Sequence, residues 1–338
     1  MTVPRRPWKP CAVMLALACV AIRPGIAAET VYEGICDASA AIAIGKNHFV
    51  VGEDERNVFH VYRFGESDSK AQIDLTSYLR GADKKESDVE GAARVGNRIY
   101  WIASHGRDKK AKVEPSRLRF FATSIDETGD VPTVKAVSTP PYTKLLDFIG
   151  ADPRFAVLKD ASQFAPKSGE GLNIEGLAAT PDGRLLIGFR NPRPKGKALV
   201  LPLLNPAAVI DSAADPQFGD LIALDLGRRG IRSIEWVDGG YVIVAGAHDD
   251  RSLNPKALDF RLYRWAGPGS KPVKAKSLGF GLNPEALFEV KGETPGTVYV
   301  LSDDGEVSAG GEKCKDAPGG KKHFRAMAVG LQASSSKH

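Results

Sequence analysis

The sequence predicts an all-β fold, a single β-propeller with five visible blades of four strands each. Three observations lead to this prediction. A short motif recurs at five places along the chain, the same order of turns and strands follows each copy, and the apolar residues of these units lack the 3.6-residue spacing of helices. Repeated units of about 50 residues with four short strands are typical of propeller blades. Six blades remain the alternative, because one unit is long enough to contain a degenerate blade.

The recurring motif is the basis of the blade count. It reads Asp88-Val-Glu-Gly-Ala-Ala, Asn173-Ile-Glu-Gly-Leu-Ala, Gly230-Ile-Arg-Ser-Ile-Glu and Asn283-Pro-Glu-Ala-Leu-Phe, with a weaker copy at Cys36-Asp-Ala-Ser-Ala-Ala. Alignment of the copies places five residues in one column: Ala38, Glu90, Glu175, Arg232 and Glu285. The unit before Glu175 is the longest, and its additional residues are predicted to form a helical insertion at about 126–171.

A turn rich in glycine, asparagine or aspartate follows each motif, and short apolar strands follow the turn. The second strands are predicted at His48–Val51, Ile99–Ile102, Leu185–Ile187, Tyr241–Val244 and Val298–Leu301. The third strands are predicted at Val58–Phe64, Leu118–Ala122, Ala198–Leu203, Arg261–Trp265 and His323–Val329.

The two ends of the propeller domain are expected to meet. Residues 31–35 read as a fourth strand with no blade before it, and the last blade otherwise ends at its third strand. Pairing of the N- and C-terminal strands would close the ring and leave no open sheet edge. Cys36 and Cys314 lie near these two ends, and in an oxidising compartment an even pair favours a disulfide between the first and last blades.

The first 28 residues are predicted to be a cleaved signal peptide. A basic start is followed by an apolar run at 12–22 and by small residues up to Ala28. The apolar run is too short for a helix that spans a bilayer, which needs about 20 residues. A retained anchor is the alternative. We therefore expect a periplasmic or secreted protein with a single propeller domain at 29–331, a disordered tail at 332–338 and no stable membrane span.

The charge of the chain argues against nucleic acid as a partner. The formal net charge is +5, and Arg5, Arg6, Lys9 and Arg23 supply four of these charges, so that the chain from residue 29 carries about +1. A nucleic-acid-binding protein would carry a concentrated basic face. We expect a monomer whose partner is a small anionic ligand or another exported protein.

Several motifs resemble those of the domain of unknown function family 3616, a family of bacterial propellers. They include Gly52-Glu-Asp-Glu-Arg-Asn, Asp88-Val-Glu-Gly-Ala-Ala-Arg, Ser104-His-Gly-Arg, Asn173-Ile-Glu-Gly-Leu-Ala, Gly188-Phe-Arg-Asn-Pro and Leu226-Gly-Arg-Arg-Gly-Ile-Arg-Ser-Ile-Glu. This resemblance covers nearly all of the chain after the signal segment and implies no established activity. The repeated Glu-Gly-Leu-Ala element is also similar to elements of phytase-like esterase and calcium-dependent lactonase propellers.

The candidate site is the mouth of the propeller, where the innermost strand begins and the second strand ends. Two rings of polar side chains are expected there. The inner ring consists of Glu90, Glu175, Arg232 and Glu285, and the outer ring of Glu53, His105, Arg190, His248 and Asp303. We expect ligand contacts from Glu53, Arg107, Arg190, Asn191, Arg232 and Asp303.

Three uses of these residues remain open. Glu90, Glu175 and Glu285 supply oxygen atoms of the type that Ca²⁺ prefers. Arg232 could instead neutralise the glutamates, which needs no ligand. His105, and less strongly His248, could act as a general base beside a carboxylate.

Two functions follow from these alternatives. The first is an exported propeller that binds a small anionic ligand or a protein at a mouth lined by glutamate and arginine. The alternative is a calcium-dependent hydrolase acting on an ester, lactone or phosphoester, with His105 as the base. The sequence contains neither a Gly-x-Ser-x-Gly nucleophile motif nor a dinucleotide-binding fingerprint.

Overall fold

The computed structural model confirms a five-bladed β-propeller. It describes residues 29–53, 56–80, 86–168, 170–247, 259–278, 281–290, 296–309 and 311–331. Within these residues the strands form five antiparallel sheets of four strands each, and the innermost strands of adjacent sheets contact one another around the ring. The six-bladed alternative is therefore wrong. The predicted signal peptide at 1–28, the tail at 332–338 and His248 lie outside the described residues.

The strands follow the chain in blade order, except for the first. β1 (Glu29–Glu33) belongs to blade 5. Blade 1 contains β2 (Ala38–Ile44), β3 (His48–Glu53), β4 (Val58–Arg63) and β5 (Ser69–Asp74). Blade 2 contains β6 (Val89–Val95), β7 (Arg98–Ala103), β8 (Phe120–Asp126) and β9 (Thr133–Ala136).

The remaining blades repeat this order. Blade 3 contains β10 (Asn173–Ala179), β11 (Leu185–Asn191), β12 (Ala198–Leu203) and β13 (Ile222–Leu224). Blade 4 contains β14 (Gly230–Val237), β15 (Gly240–Gly246), β16 (Arg261–Trp265) and β17 (Val273–Ser277). Blade 5 contains β18 (Pro284–Glu289), β19 (Thr297–Ser302) and β22 (His323–Gly330), with β1 outermost, and β20 (Ser308–Ala309) pairs with β21 (Glu312–Lys313) in a separate two-stranded ribbon.

Burial explains why the second strands were the clearest in the sequence. Both faces of a blade are covered by its neighbours, so that β3 and β11 are buried along their whole length and read as continuous apolar runs. The outermost strands contact solvent. All five residues of β17 are exposed, and its sequence Val-Lys-Ala-Lys-Ser lacks a continuous apolar run.

Ring closure occurs as predicted. β1 pairs antiparallel with β22, from Glu29 opposite Met327 to Glu33 opposite His323. Tyr32 of β1 stacks on Phe324 of β22, and its hydroxyl lies 2.9 Å from the hydroxyl of Tyr299. The predicted disulfide is present, with the sulfur atoms of Cys36 and Cys314 2.05 Å apart. It joins the segment that enters blade 1 to the connection between β19 and β22 of blade 5.

In the described part of the chain, four short α-helices connect the strands: α1 (Thr76–Arg80), α2 (Leu145–Ala151), α3 (Ala156–Ala161) and α4 (Pro206–Ser212). Both α2 and α3 lie between β9 and β10, in the longest repeat unit. Leu145, Ile149 and Leu158 anchor them to the core between blades 2 and 3. No helix in the described part of the chain has the length and apolar character needed to cross a membrane.

Candidate functional site

A β-bulge at the start of each innermost strand builds the inner ring. The register between the first and second strands slips by one residue in every blade, and the extra residue in each case is Ser39, Glu90, Glu175, Arg232 or Glu285. A bulge leaves its extra residue out of the ladder and redirects its side chain. The blade 1 member of the ring is therefore Ser39, whereas the sequence alignment had placed Ala38 in that column.

Small residues follow the bulges because the next blade packs closely there. A Cβ atom built on Gly91 would lie 2.9 Å from the Cβ of Leu177 in blade 3. One built on Gly176 would lie 2.9 Å from methyl groups of Ile231 and Ile234 in blade 4. In the recurring Glu-Gly pair, the glutamate side chain is therefore directed out of the ladder, and the glycine allows the neighbouring strand to approach closely.

The mouth is a cavity of about 670 Å³ with a mixed charged lining. Its carboxyl groups belong to Glu86, Asp88, Glu90, Glu175, Glu285 and Asp303, and its cationic groups to Arg107, Lys109, Arg117, Arg190 and Lys315. Of the predicted site residues, the structure therefore brings together Glu90, Arg107, Glu175, Arg190, Glu285 and Asp303. Two of the remaining lining groups, Lys109 and Arg117, come from the loop between β7 and β8. We refer to this space as the front cavity.

Arginine side chains neutralise two of the three glutamates of the inner ring. Arg190 Nη1 donates to Glu175 Oε1 at 2.7 Å, and Asn173 Nδ2 donates to the same oxygen at 2.7 Å. Arg232 Nε lies 3.0 Å from Glu175 Oε2, and Arg232 Nη2 contacts Glu285 Oε1. The side chains of Glu175, Arg190 and Arg232 are exposed by 3%, 7% and 6%, so that each charge depends on its partners for compensation.

Glu90 is the open position of the ring. Its carboxyl group lines the front cavity and forms no ion pair or hydrogen bond with a described residue. Burial raises the pKa of Glu90 well above its usual range, and the negative charges of Glu175 and Asp88 raise it further. These surroundings favour the protonated carboxyl group, which can donate one hydrogen bond and accept others.

Two other carboxyl groups that line the front cavity, those of Asp88 and Asp303, are held by local contacts. Asp88 accepts a hydrogen bond from Ser104 Oγ, and Arg117 Nη1 lies 3.3 Å from Asp88 Oδ2. Asp303 accepts from the Gly305 backbone N–H at 2.9 Å. Burial raises the pKa of Asp303, against the opposing effects of this bond and of a hydrogen bond with Asp37.

His105 is not part of the cavity lining. Its side chain is buried, Nδ1 lies 2.8 Å from the Ala103 carbonyl oxygen, and Nε2 is buried without a described partner. Burial, together with the charge of Arg119, lowers the pKa of His105 to about 4, although the contact with the Ala103 carbonyl oxygen opposes this. The sequence placed His105 beside Glu90 by its distance along the chain, but its backbone adopts φ 53°, and the imidazole does not line the front cavity.

Three other predicted ligand contacts have local partners. Arg107 donates to the Ser162 carbonyl oxygen at 2.5 Å and to Gln163 Oε1 at 3.0 Å, which ties the β7–β8 loop to the end of α3. Asn191 Nδ2 donates to the Pro166 carbonyl oxygen at 3.1 Å. Glu53 is bound by Arg56 and does not line the front cavity. Arg107 and Asn191 thus position the helical segment beside the mouth.

The predicted calcium ligands do not form a ligand cluster. Glu175 and Glu285 both contact Arg232, and no group of three or more histidine, cysteine, aspartate or glutamate side chains in the described residues is arranged to hold a metal ion. A calcium ion at Glu90, Glu175 and Glu285 stays a prediction, and these contacts give it no support.

The sequence missed Lys109 and Arg117 as lining residues. Both belong to the segment between β7 and β8, from which the sequence singled out only His105 and Arg107. The length of this segment was the feature of the sequence that could have indicated further lining residues. A connection that leaves the end of a second strand lies on the mouth side, so that a long one brings several side chains to the rim.

Comparison with known proteins agrees with the family expected from the motifs. Residues 133–281 match the family described as "Protein of unknown function (DUF3616)". None of the curated proteins matches the sequence.

Solved structures resemble the chain at low sequence identity. Glutaminyl cyclase of Myxococcus xanthus is 10% identical, with 91% of this chain and 97% of that chain covered and a TM-score of 0.43. An aldose sugar dehydrogenase of Streptomyces coelicolor is 10% identical over 90% and 99% of the two chains, with a TM-score of 0.40. An exo-β-1,3-galactanase of Clostridium thermocellum is 12% identical over 91% and 63%, with a TM-score of 0.49. These similarities carry no information on activity.

Proposed function

We propose that this chain, a member of the DUF3616 family, is an exported propeller that binds a small anionic ligand in the front cavity. The observation that carries the proposal is the open position at Glu90. A polar group inside a concave polar cavity, without a partner among the described residues, is a point at which a ligand is expected to bind. The ion-paired side chains of Glu175, Arg190, Arg232 and Glu285 form a rigid part of the mouth beside Glu90.

The rim supports an anion as the ligand. The Lys109 side chain lines the cavity and forms no ion pair with a described residue. Arg117 contacts Asp88 and Glu86 only at 3.3 and 3.6 Å, which leaves donors for a stronger acceptor. In the protonated form, which burial favours, Glu90 can donate a hydrogen bond to the ligand without adding negative charge to the floor of the cavity.

The segment after α3 covers one side of the front cavity. Ala165, Pro166 and Ser168 line it, and a Cβ built on Gly106 would lie 2.7 Å from the Pro166 ring. Arg107 and Asn191 hold this segment in place. We include in the proposal that the segment screens the bound ligand from solvent, as a lid does.

Calorimetry with small anions tests the ligand class. We would titrate phosphate, citrate and gluconate, with glucose as the neutral counterpart of gluconate. Lys109→Gln should weaken anion binding by about three- to fivefold, the effect of one exposed charge. Lys276→Gln, an exposed change on β17, is the matched control. If glucose and gluconate bind equally, or if Lys109→Gln binds every anion as the unaltered protein does, the ligand is not selected by its negative charge.

The buried disulfide supports export, because structural disulfides persist in oxidising compartments. Cell fractionation and N-terminal sequencing of the purified protein test this part. A mature protein that begins near Glu29 in the periplasm or medium agrees with export, and an intact N-terminus in the cytoplasm contradicts it. Sedimentation of the same sample tests the expected monomer.

The alternative, calcium-dependent hydrolysis, gains no specific support. The glutamates assigned to the ion contact Arg232, and the histidine assigned as the base lies outside the cavity lining.

A further inference from the structure

The lining of the front cavity combines hydrogen-bond acceptors on its strands with donors in a loop. The carboxyl groups of Glu90 on β6, Glu285 on β18 and Asp303 directly after β19 supply acceptors. We refer to these three as the acceptor wall. The ammonium group of Lys109 and the guanidinium group of Arg117, both between β7 and β8, supply donors, and we refer to them as the donor rim. A ligand in the front cavity therefore meets two kinds of partner.

The protein saturates the acceptor wall only in part. Glu285 Oε1 contacts Arg232, whereas Glu285 Oε2 forms no hydrogen bond with a described residue. The same holds for the carboxyl group of Glu90. Asp303 accepts one hydrogen bond from a backbone N–H and shares one with Asp37. Since a carboxylate has about four acceptor sites, the acceptor wall can accept further hydrogen bonds from a ligand.

These acceptors restrict which anions are suited to the cavity. An anion that presents only acceptor oxygens, such as sulfate or an aliphatic carboxylate, can bind the donor rim but offers no hydrogen to the acceptor wall. Its oxygens would also face the carboxyl group of Glu285 without a donor between them. We therefore expect the ligand to carry hydrogen-bond donors in addition to its anionic group.

The donor rim and the acceptor wall are neighbours. Arg117 Nη1 lies 3.3 Å from Asp88 Oδ2, and the charge of Asp88 acts on Glu90, two residues further along the chain. All three side chains line the same cavity of about 670 Å³, a volume within the range of small-molecule sites. A single small molecule can therefore contact both.

Hydroxyl groups suit the acceptor wall better than an ammonium group does. A hydroxyl group both donates and accepts, whereas an ammonium group only donates. The surroundings of Glu90 favour its protonated form, whose O–H needs an acceptor on the ligand. A hydroxyl oxygen supplies that acceptor, and its hydrogen can be donated to Glu285 or Asp303.

We propose that the ligand of the front cavity is a sugar acid, a carboxylate with hydroxyl groups along its carbon chain. Its carboxylate binds the donor rim at Lys109 and Arg117. Its hydroxyl groups bind the acceptor wall at Glu90, Glu285 and Asp303. This inference rests on the proposed function, for which it specifies the class of ligand.

Calorimetry with acids of equal chain length tests the role of the hydroxyl groups. Gluconate and hexanoate share the carboxylate and the number of carbon atoms, but hexanoate lacks the hydroxyl groups. In 6-aminohexanoate an ammonium group is the donor instead. Gluconate should bind at least about tenfold more tightly than either analogue, because a site that hydrogen-bonds hydroxyl groups rejects molecules that lack them.

A variant of Glu90 tests where the hydroxyl groups bind. Glu90→Leu removes the hydrogen-bonding group at similar side-chain size, and thermal melting checks that the variant is folded. Gluconate binding should weaken by about tenfold, whereas hexanoate binding should not weaken. Glu312→Gln removes an exposed carboxylate that does not line the front cavity and should bind gluconate unchanged.

The possible failures of the two proposals can be told apart. Equal affinities for gluconate and hexanoate would overturn the sugar-acid assignment and leave the anion site of the proposed function intact. Tighter binding of 6-aminohexanoate than of gluconate, or an equal loss of gluconate and hexanoate affinity in folded Glu90→Leu, would also overturn the assignment alone. If phosphate and citrate fail to bind as well as gluconate, the proposed function and this inference are both wrong.

Discussion

Arg190 and Glu175, which lie 15 residues apart on adjacent strands of blade 3, form a buried ion pair with a separation of 2.7 Å. Glu175 also lies 3.0 Å from Arg232 of blade 4, which contacts Glu285 of blade 5. A row of alternating charges therefore joins three of the five blades at the mouth.

Loss of Glu175 should destabilise the propeller strongly. Glu175→Gln would remove a carboxylate that contacts both Arg190 and Arg232 in buried surroundings, and removal of one partner of a buried pair costs about 3–5 kcal/mol. Urea unfolding measures the free energy of unfolding of the variant. In a Glu175→Gln/Arg190→Met double variant the two losses should be less than additive. Additive losses would show that the two side chains do not interact.

Glu90→Gln should change the pH dependence of stability. The folded pKa of Glu90 is raised above its unfolded value, so that the ionised carboxyl group lowers stability as pH rises above about 4.3 and through the folded pKa. The glutamine variant lacks this loss and should gain melting temperature relative to the unaltered protein between pH 4 and pH 8. Glu312→Gln is the exposed control. A difference in melting temperature that stays constant with pH would contradict the assignment.

The Cys36–Cys314 disulfide should stabilise the closed ring. The two cysteines are separated by 278 residues, and the chain-entropy model gives so long a loop about 5 kcal/mol as an upper value. A Cys36→Ser/Cys314→Ser variant should unfold at lower urea concentration, and a reducing agent should have the same effect on the unaltered protein. Since β1 still pairs with β22, near-UV circular dichroism of the variant should retain its native signal at low urea. Loss of that signal without denaturant would show that the strand pairing alone does not hold the ring.

Close packing after the bulges should make Gly91 intolerant of a side chain. Gly91→Ala would place a methyl group 2.9 Å from the Cβ of Leu177 and 3.1 Å from its backbone nitrogen, and such overpacking costs about 1–3 kcal/mol. Gly330→Ala, where an added Cβ meets no atom within 4 Å, is the matched control. Equal stability of the two variants in urea unfolding would mean that blades 2 and 3 can separate at little cost.

The fold could be predicted from the sequence because the same motif and the same order of strands recur in each of the five blades. Strands such as Ile99–Ile102 are buried on both faces, and their apolar runs recur with the spacing of the blades. β1 was predicted by a different argument, namely that the last blade lacked a strand. Pairing of the two cysteines followed from their positions near the two ends.

The site was harder to predict because it depends on side-chain direction. A one-residue slip decides whether Ala38 or Ser39 belongs to the inner ring, and sequence alignment does not reveal a bulge in a degenerate copy. Distance along the chain placed His105 beside Glu90. The backbone at His105 has a positive φ, and a histidine in the sequence gives no indication of such a conformation. The neutralisation of Arg232 by two glutamates from adjacent blades required the three-dimensional ring.

Pairing of β1 with β22 also sets the order in which the molecule can be assembled. A ribosome makes the outermost strand of blade 5 before blade 1, whereas its partner, His323–Gly330, is made only after the four other blades. Throughout that interval the edge of β22 that receives β1 does not exist, and β1 has an unpaired edge that another copy of the chain could occupy. Translocation of an unfolded chain would remove this hazard, because all five blades would then become available on the same side at nearly the same time.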